Sequence, residues 1–525
     1  MSSIKFLLVS SLLSQVVDVT AKQLLCNDEI PIPEYRGTKV TSLTAKEVRG
    51  YKDWGAAAMV GLPFNQENPV DLCNVTLSYT HPEMGDNINV YVWLPLDNWN
   101  GNFLGQGGGG WAAGMEGALG PPVALGYASA NTDAGHSFHV DPVQATFSAR
   151  DWAIPSPGNV DWTLLQDFAS VSLDDMANLA KGVVSSFYGK APRYSYWNGN
   201  YNGILALAPA VNWDSFIVAE LWGQVMMRKE NYYPSSCEWE AIRNSAIEAC
   251  DELDGVKDGV VAAANLCNFD ALSVVGQKYN CSGETRHISE AAATIANAAW
   301  EGPKRNGKLE WFGLNHEAPF SSATSSSGGL LQTICDEDNK NCTGSPFPIS
   351  KEWVQVFLAK NLGYDVSDMS EEDFFGFLHL SRQWYSSIMG SADPDLSEFK
   401  AAGGRMITWH GLADELIFPN GTANYYERVL ALDSKAKDFY RYFEAPGVLH
   451  CGRGVGAFPK QAFNSLVQWV ESETVPDTLD AETTLEPTRS RILCVYPQVA
   501  AYRGGNPDDA SSYECADTFG TKKAV

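Results

Sequence analysis

The sequence predicts an α/β fold, and three observations carry that expectation. Short apolar runs rich in β-branched and aromatic residues recur near 75–79, 88–94, 123–130, 194–197, 203–208, 405–414 and 439–443. Helical spacing separates several of them, at 173–188 and 422–432. The rhythm stops after Val211 and resumes at Arg405, as it does when a sheet is interrupted by an insertion. A chain of 525 residues exceeds one small domain, and a composition 45% apolar and 19% charged supplies a large core and excludes global disorder.

From the amino terminus, Lys5 precedes a dozen mainly apolar residues and small Ala21, the pattern of a signal peptide over residues 1–21. The run is too short to span a bilayer and no later window approaches the required length, so we expect a secreted, extracellular protein and no membrane partner. Acceptor sequons at Asn74, Asn280, Asn341 and Asn420 fit that route. The eleven cysteines form no C-x-x-C pair and read as disulfides, but an odd number leaves at least one thiol without an intramolecular partner. Acidic residues outnumber Lys and Arg by 63 to 37, a net charge of −26 that repels phosphate backbones and argues against nucleic-acid binding. Sixteen Trp, 21 Tyr and 23 Phe exceed what a core needs, so some are expected to line a groove for flat or sugar-like ligands, although a structural role is the plainer reading for any single one.

Three stretches carry chemistry. Asp414 follows an apolar strand, and His450 lies in the loop after the next one. An acid followed in chain order by a histidine, each at the carboxyl end of a strand, is how an α/β-hydrolase orients and polarises an imidazole. The run Gly105-Gln-Gly-Gly-Gly-Gly110 follows a strand and offers backbone N–H groups to a developing oxyanion; the plainer reading is a surface turn. A phosphate loop is disfavoured because no Gly-Lys-Ser/Thr follows. In residues 250–260, Asp251, Asp254 and Asp258 with the carbonyls of Val256 and Val260 set hard oxygens at offsets 0, 3, 5, 7 and 9. Gly255 and Gly259 let that backbone wrap a centre, which suits structural Ca2+; an acidic turn capping a helix is the alternative.

Ser195-Tyr-Trp-Asn-Gly199, residues 203–213, the acidic loop, Trp409-His-Gly-Leu-Ala-Asp414 and His450-Cys451 together resemble the fungal tannase and feruloyl esterase family, nearest its feruloyl esterase B type. The resemblance implies an α/β-hydrolase fold with a large inserted lid domain: a catalytic domain at 22–210 and 398–525, and a calcium-bearing lid at 211–397. It makes Asp414 the catalytic acid and His450 the base, and Cys451 the neighbour that pairs with a cysteine just before the nucleophilic serine. It gives Asp251, Asp254, Val256, Asp258 and Val260 to calcium, and pairs Cys26 with Cys73, Cys250 with Cys267 and Cys494 with Cys515. The implied substrates are hydroxycinnamoyl esters of plant cell-wall polysaccharides, with galloyl esters as the alternative.

One departure bears on activity. The family reads Tyr-Trp-x-Gly-Cys-Ser-x-Gly-Gly and continues into a helix, whereas here Gly199 is followed by Asn200, Tyr201, Asn202 and Gly203. The nucleophilic serine is absent after Gly199, no Gly-x-Ser-x-Gly occurs elsewhere, and the serine tract at 321–327 lacks a strand-to-helix setting. Parallel strands need a crossover of roughly a dozen residues or more, so the elbow and its helix read as deleted, and the odd cysteine agrees. A secreted, inactive homologue that binds aromatic-decorated glycan is the rival expectation.

Overall fold

The computed structural model describes residues 23–52, 68–136, 146–197, 201–322, 328–486 and 488–519. The expected signal peptide, the junction at 198–200 and most of the serine tract lie outside the described residues.

Among the described residues nine strands form the main sheet: β1 (Lys39–Tyr51), β2 (Val70–Thr80), β3 (Ile88–Pro95), β4 (Phe103–Gly105), β5 (Ala128–Thr132), β6 (Ser195–Tyr196), β7 (Gly203–Leu207), β8 (Arg405–Gly411) and β9 (Tyr440–Ala445). Their spatial order is β1-β2-β3-β5-β4-β6-β7-β8-β9. β1, β2, β3 and β5 pair antiparallel. From β5 to β9 every neighbouring pair is parallel.

Alternating side chains assign the two faces. Phe103, Val90 and Val92 pack under helix α1 (Ser172–Tyr188), which presents Met176, Leu179, Ala180, Val183 and Phe187 at helical spacing. Met406, Tyr440 and Tyr442 meet helix α2 (Pro419–Leu432). Leu104, Tyr196, Ile407, Trp409 and Phe443 point to the opposite face, against Leu466 and Trp469 of helix α3 (Ala462–Ser472). A sheet covered on both faces by helices, with its central strands parallel, is the predicted α/β-hydrolase arrangement.

The apolar run 123–130 does not form one strand. Pro121 and Pro122 open a short helix, Gly120–Ala124, that consumes Val123; Gly126, at φ +85°, turns the chain before β5 starts at Ala128. β1 was not expected: its burial is mostly that of an exposed edge strand, so its sequence carries little apolar alternation.

Between β7 and β8, which are direct neighbours in the sheet, lie the helices Trp213–Ala219, Trp222–Glu230, Ser236–Cys250, Glu290–Glu301 and Glu371–Met389, with small two-stranded ribbons. This lid-like insertion packs Trp239, Trp353 and Phe357 into an apolar core that it shares with Trp111, Leu165 and Phe418 of the flanking segments. Disulfides join Cys26 to Cys73, Cys250 to Cys267 and Cys494 to Cys515, as the resemblance implied, and also Cys237 to Cys281 and Cys335 to Cys342. Among the described residues, no helix is long and apolar enough to cross a membrane.

Candidate active site

Because β4, β6, β8 and β9 are parallel, the segments that follow them emerge at one edge of the sheet, where open α/β sheets place their ligands. The glycine run, Trp197, Asp414 and His450 are therefore gathered there from positions far apart in the chain.

Asp414 is wholly buried. Its Oδ1 accepts the backbone N–H groups of Leu416 at 2.9 Å and Ile417 at 2.8 Å. Its Oδ2 lies 2.9 Å from His450 Nδ1 and 3.1 Å from His410 Nε2. Burial alone raises a carboxyl pKa, but the charge on His450 and the hydrogen bonds from both imidazoles overcome it and hold Asp414 well below the usual range. For His450, burial disfavours the cation, yet the facing Asp414 carboxylate and the neighbouring Cys451 sulfur outweigh it and raise the imidazole well above its ordinary value. With Nδ1 committed to Asp414, Nε2 is the nitrogen left to take or give a proton at the 27% exposed edge of the ring.

Two groups at this pair escaped the sequence reading. His410 is a second imidazole on Asp414, itself fixed by Thr422 Oγ1 at 2.8 Å; its place four residues before Asp414 was the available signal. Glu220, buried in the insertion and hydrogen-bonded by Ser350, is pushed well upward by burial and also senses the charges on His450 and Asp414. The insertion further grips both loops. Asn315 donates to the Leu412 carbonyl at 2.9 Å, and buried Glu317 accepts the N–H groups of Val261 at 2.8 Å and Gly447 at 2.9 Å.

The glycine run is tightly packed rather than a loose turn. A Cβ at Gly107 would lie 2.6 Å from the Trp197 ring, one at Gly105 2.5 Å from Tyr201 Oη, and one at Gly108 2.0 Å from the Ala112 carbonyl. Trp111, which ends the glycine run, is buried against Trp213, Trp353 and Phe357. Trp239, Trp353, Trp409 and Trp469 are likewise fully buried core.

The junction between β6 and β7 is abnormal for parallel strands. Tyr196 pairs with Gly203, and six residues make the connection, where a crossover normally takes roughly a dozen or more. Trp197 has φ +126°, a genuine outlier for a bulky residue, and Ala208 after β7 has φ +42°. Leu205, Ala206 and Leu207 of this central strand are only partly buried, while β4, β5 and β6 are buried throughout.

Cys451 is exposed, and the other ten cysteines are disulfide-bonded. We expect native alkylation to label one thiol per chain, with peptide mapping placing it at Cys451. No label, or a label elsewhere, contradicts this pairing scheme.

In the acidic loop, Asp251 is buried and turns inward: Oδ1 accepts from Asp258 N at 3.1 Å and Oδ2 from Gly259 N at 3.0 Å. Asp258 meets Arg491 at 2.7 Å, and its carbonyl accepts from Arg489 at 2.8 Å. Burial first, then the charges of Asp258 and Asp251, push Asp254 up to about 6. Asp258 is thus committed to an ion pair and Asp251 to two backbone N–H groups, and no three side-chain donors of this loop lie within 4.8 Å of one another. A different group, His81, Asp86 and Asp167, is the one among the described residues that brings three side-chain donors within 4.8 Å of one another and could hold a metal ion.

A doubly covered α/β-hydrolase sheet carrying a buried acid–histidine pair at its carboxyl edge defines the class of protein. Within that class the chain belongs to the tannase and feruloyl esterase family, which matches residues 73–516. It is 39% identical over 488 residues to a probable feruloyl esterase of Arthroderma benhamiae, covering 87% of this chain and 88% of the relative. It is 24% identical to the tannase of Aspergillus oryzae, covering 85% of each chain. Among solved structures, tannin acyl hydrolase from Aspergillus niger superposes with a TM-score of 0.81 over 94% of this chain and 95% of that one, at 24% identity. Feruloyl esterase B from Aspergillus oryzae does so with a TM-score of 0.70 over 92% and 98%, at 23% identity.

Proposed function

We propose that the protein is a secreted serine-type carboxylic ester hydrolase that releases ferulic and related hydroxycinnamic acids from plant cell-wall polysaccharide esters, and that this 525-residue form lacks its nucleophile. The Asp414–His450 pair, held at 2.9 Å at the carboxyl edge of the sheet, carries the proposal. In a complete site, a serine following Gly199 attacks the ester carbonyl while His450 Nε2 accepts its proton and then returns it to the departing alkoxide. Asp414 fixes the Nδ1–H tautomer and stabilises the imidazolium. Backbone donors of the glycine run 105–110 face the developing oxyanion.

Deletion of the elbow is supported by the six-residue connection, the strained Trp197 and the half-covered β7. The free Cys451 adds to this, since it waits beside the base for the cysteine that would precede the serine. Taken as written, the chain favours a second reading: a secreted, inactive homologue that binds aromatic-decorated glycan. Galloyl esters are the alternative substrate if the site is complete. Sequencing the transcript across residues 198–203 separates these readings. A longer transcript, whose product prefers feruloyl to galloyl esters, is expected; one matching the short junction in well-folded secreted protein overturns the enzymatic reading.

The lid is residues 211–397, and it carries structural calcium bound through Asp251, Asp254, Asp258 and the carbonyls of Val256 and Val260. Dialysed protein is expected to keep about one calcium per chain, as the family resemblance implies. Removing it, or making Asp254→Ala, costs about 1 to 2 kcal/mol, which at this chain length lowers Tm by about 1 to 2 °C. Metal analysis that finds no calcium, or a Tm indifferent to chelation, rejects this assignment. Glycans are expected at the exposed Asn280, Asn341 and Asn420 rather than at Asn74, whose amide lies within β2 and donates to Glu116 at 2.8 Å.

A further inference from the structure

His81 ends β2 at the same sheet edge as Asp414 but several strands away, and three carboxylates surround its ring. Nδ1 lies 2.5 Å from Asp86 Oδ2 and 3.9 Å from Asp167 Oδ1. Nε2 lies 3.0 Å from Asp175 Oδ2, which also accepts the Tyr79 hydroxyl at 2.9 Å. Asp167 opens a π-helical turn, Asp167–Val171, at the entry to α1. It is only 2% exposed, and its Oδ2 has no hydrogen-bond partner among the described residues. A buried carboxylate oxygen without a donor costs roughly 1 to 3 kcal/mol or more, a cost that a bound cation offsets.

We propose that His81, Asp86 and Asp167 form a structural site for a divalent transition cation, Zn2+ in the first instance, with Asp175 fixing the imidazole tautomer. Asp175, oriented by Tyr79, keeps a proton on Nε2, so Nδ1, which shares a proton with Asp86 in the empty site, is the nitrogen that turns its lone pair to the ion once that proton leaves. Such carboxylate support behind a ligating histidine recurs in zinc proteins. Two carboxylates balance the charge of the ion. One imidazole nitrogen with only two carboxylates suits Zn2+ better than Ca2+, which takes six to eight oxygens. Zinc ligands at about 2.0 Å from the metal stand about 3.3 Å apart, so Asp86 draws back from Nδ1 and Asp167 draws toward it, and the three donors, now within 4.8 Å of one another, close to that spacing. The ion displaces the Nδ1 proton, which is released to solvent, and it enters past the 17% exposed edge of His81. It would tie the end of β2 to the turn that carries Phe168, whose ring packs on Trp111 and on Trp213 of the insertion. The site is independent of the catalytic reading and of the acidic loop.

The test uses the full-length secreted chain, stripped with chelator and returned to calcium-containing buffer. Titration with Zn2+ against a chromophoric chelator is expected to show one site per chain and a rise in Tm, with Co2+ giving the visible absorption of a low-symmetry nitrogen–oxygen site. H81Q and D167N should abolish both responses, and D175N should weaken zinc binding about 10- to 100-fold. Absence of zinc binding in the wild-type chain, or uptake unchanged in H81Q and D167N, overturns the proposal. If those variants do not fold, protection of His81 from diethylpyrocarbonate in the wild-type chain decides: slower modification with Zn2+ supports the site, and an unchanged rate rejects it.

Discussion

The 525-residue chain, purified and mixed with a chromogenic feruloyl ester, is expected to give neither a product burst nor sustained turnover. Inserting a crossover after Gly199 that begins Cys-Ser and continues as a helix is expected to restore activity. Loss of a triad nucleophile costs on the order of a million-fold in kcat, so the two forms should differ by several decades. The same insertion should remove the free thiol, because the new cysteine pairs with Cys451 and brings the count of eleven to an even number. It should also cover Leu205, Ala206 and Leu207 and relax Trp197, so activity and stability rise together. In the restored form, Ala in place of the new serine, of His450 or of Asp414 should produce losses that do not add, because the three act as one unit. Robust hydrolysis by the short chain would defeat this account and require another nucleophile.

Much of this site could be read from the sequence because its parts sit at the ends of strands. Apolar runs before Asp414 and before the loop of His450 marked strand termini, and parallel pairing then delivered both residues to one edge. What the sequence hid was pairing at long range. Nothing local tells that His81 faces Asp167 and Asp175 across more than eighty residues, or that Glu317 spans Val261 and Gly447. His410 was within the recognised motif, but its role depends on a strand placing Nε2 on the same oxygen that His450 uses. Aromatic abundance was silent on place: a tryptophan count does not separate groove from core, and burial puts Trp111, Trp239 and Trp353 in the core, the plainer reading for any single aromatic.

Asp414→Ala is expected to be among the most destabilising single changes in the protein. The carboxylate accepts two backbone N–H groups and two imidazoles with no access to water, so its loss strands four donors in a closed site. Removing one partner of such a buried charged pair costs about 3 to 5 kcal/mol. Asp414→Asn keeps the volume, but its oxygen can satisfy only part of the set and its NH2 opposes a remaining N–H, so most of the loss should persist. The pH dependence distinguishes this mechanism from simple cavity formation. Asp414 is depressed in the fold, so its contribution is present above the ordinary carboxyl value of 3.8 and is lost as pH falls toward its lower folded value. His450 is raised, so its contribution is complete below the ordinary imidazole value of 6.5 and is lost as pH rises through its higher folded value. The stability gap between wild type and Asp414→Ala should therefore be widest between these two ordinary values and narrow on either side. In the variant, burial is left as the main influence on His450, and its titration should move downward. Urea unfolding across that pH range, with NMR titration of the His450 ring, measures both effects, and a gap that is small or flat with pH would show that the pair is not coupled as its geometry requires.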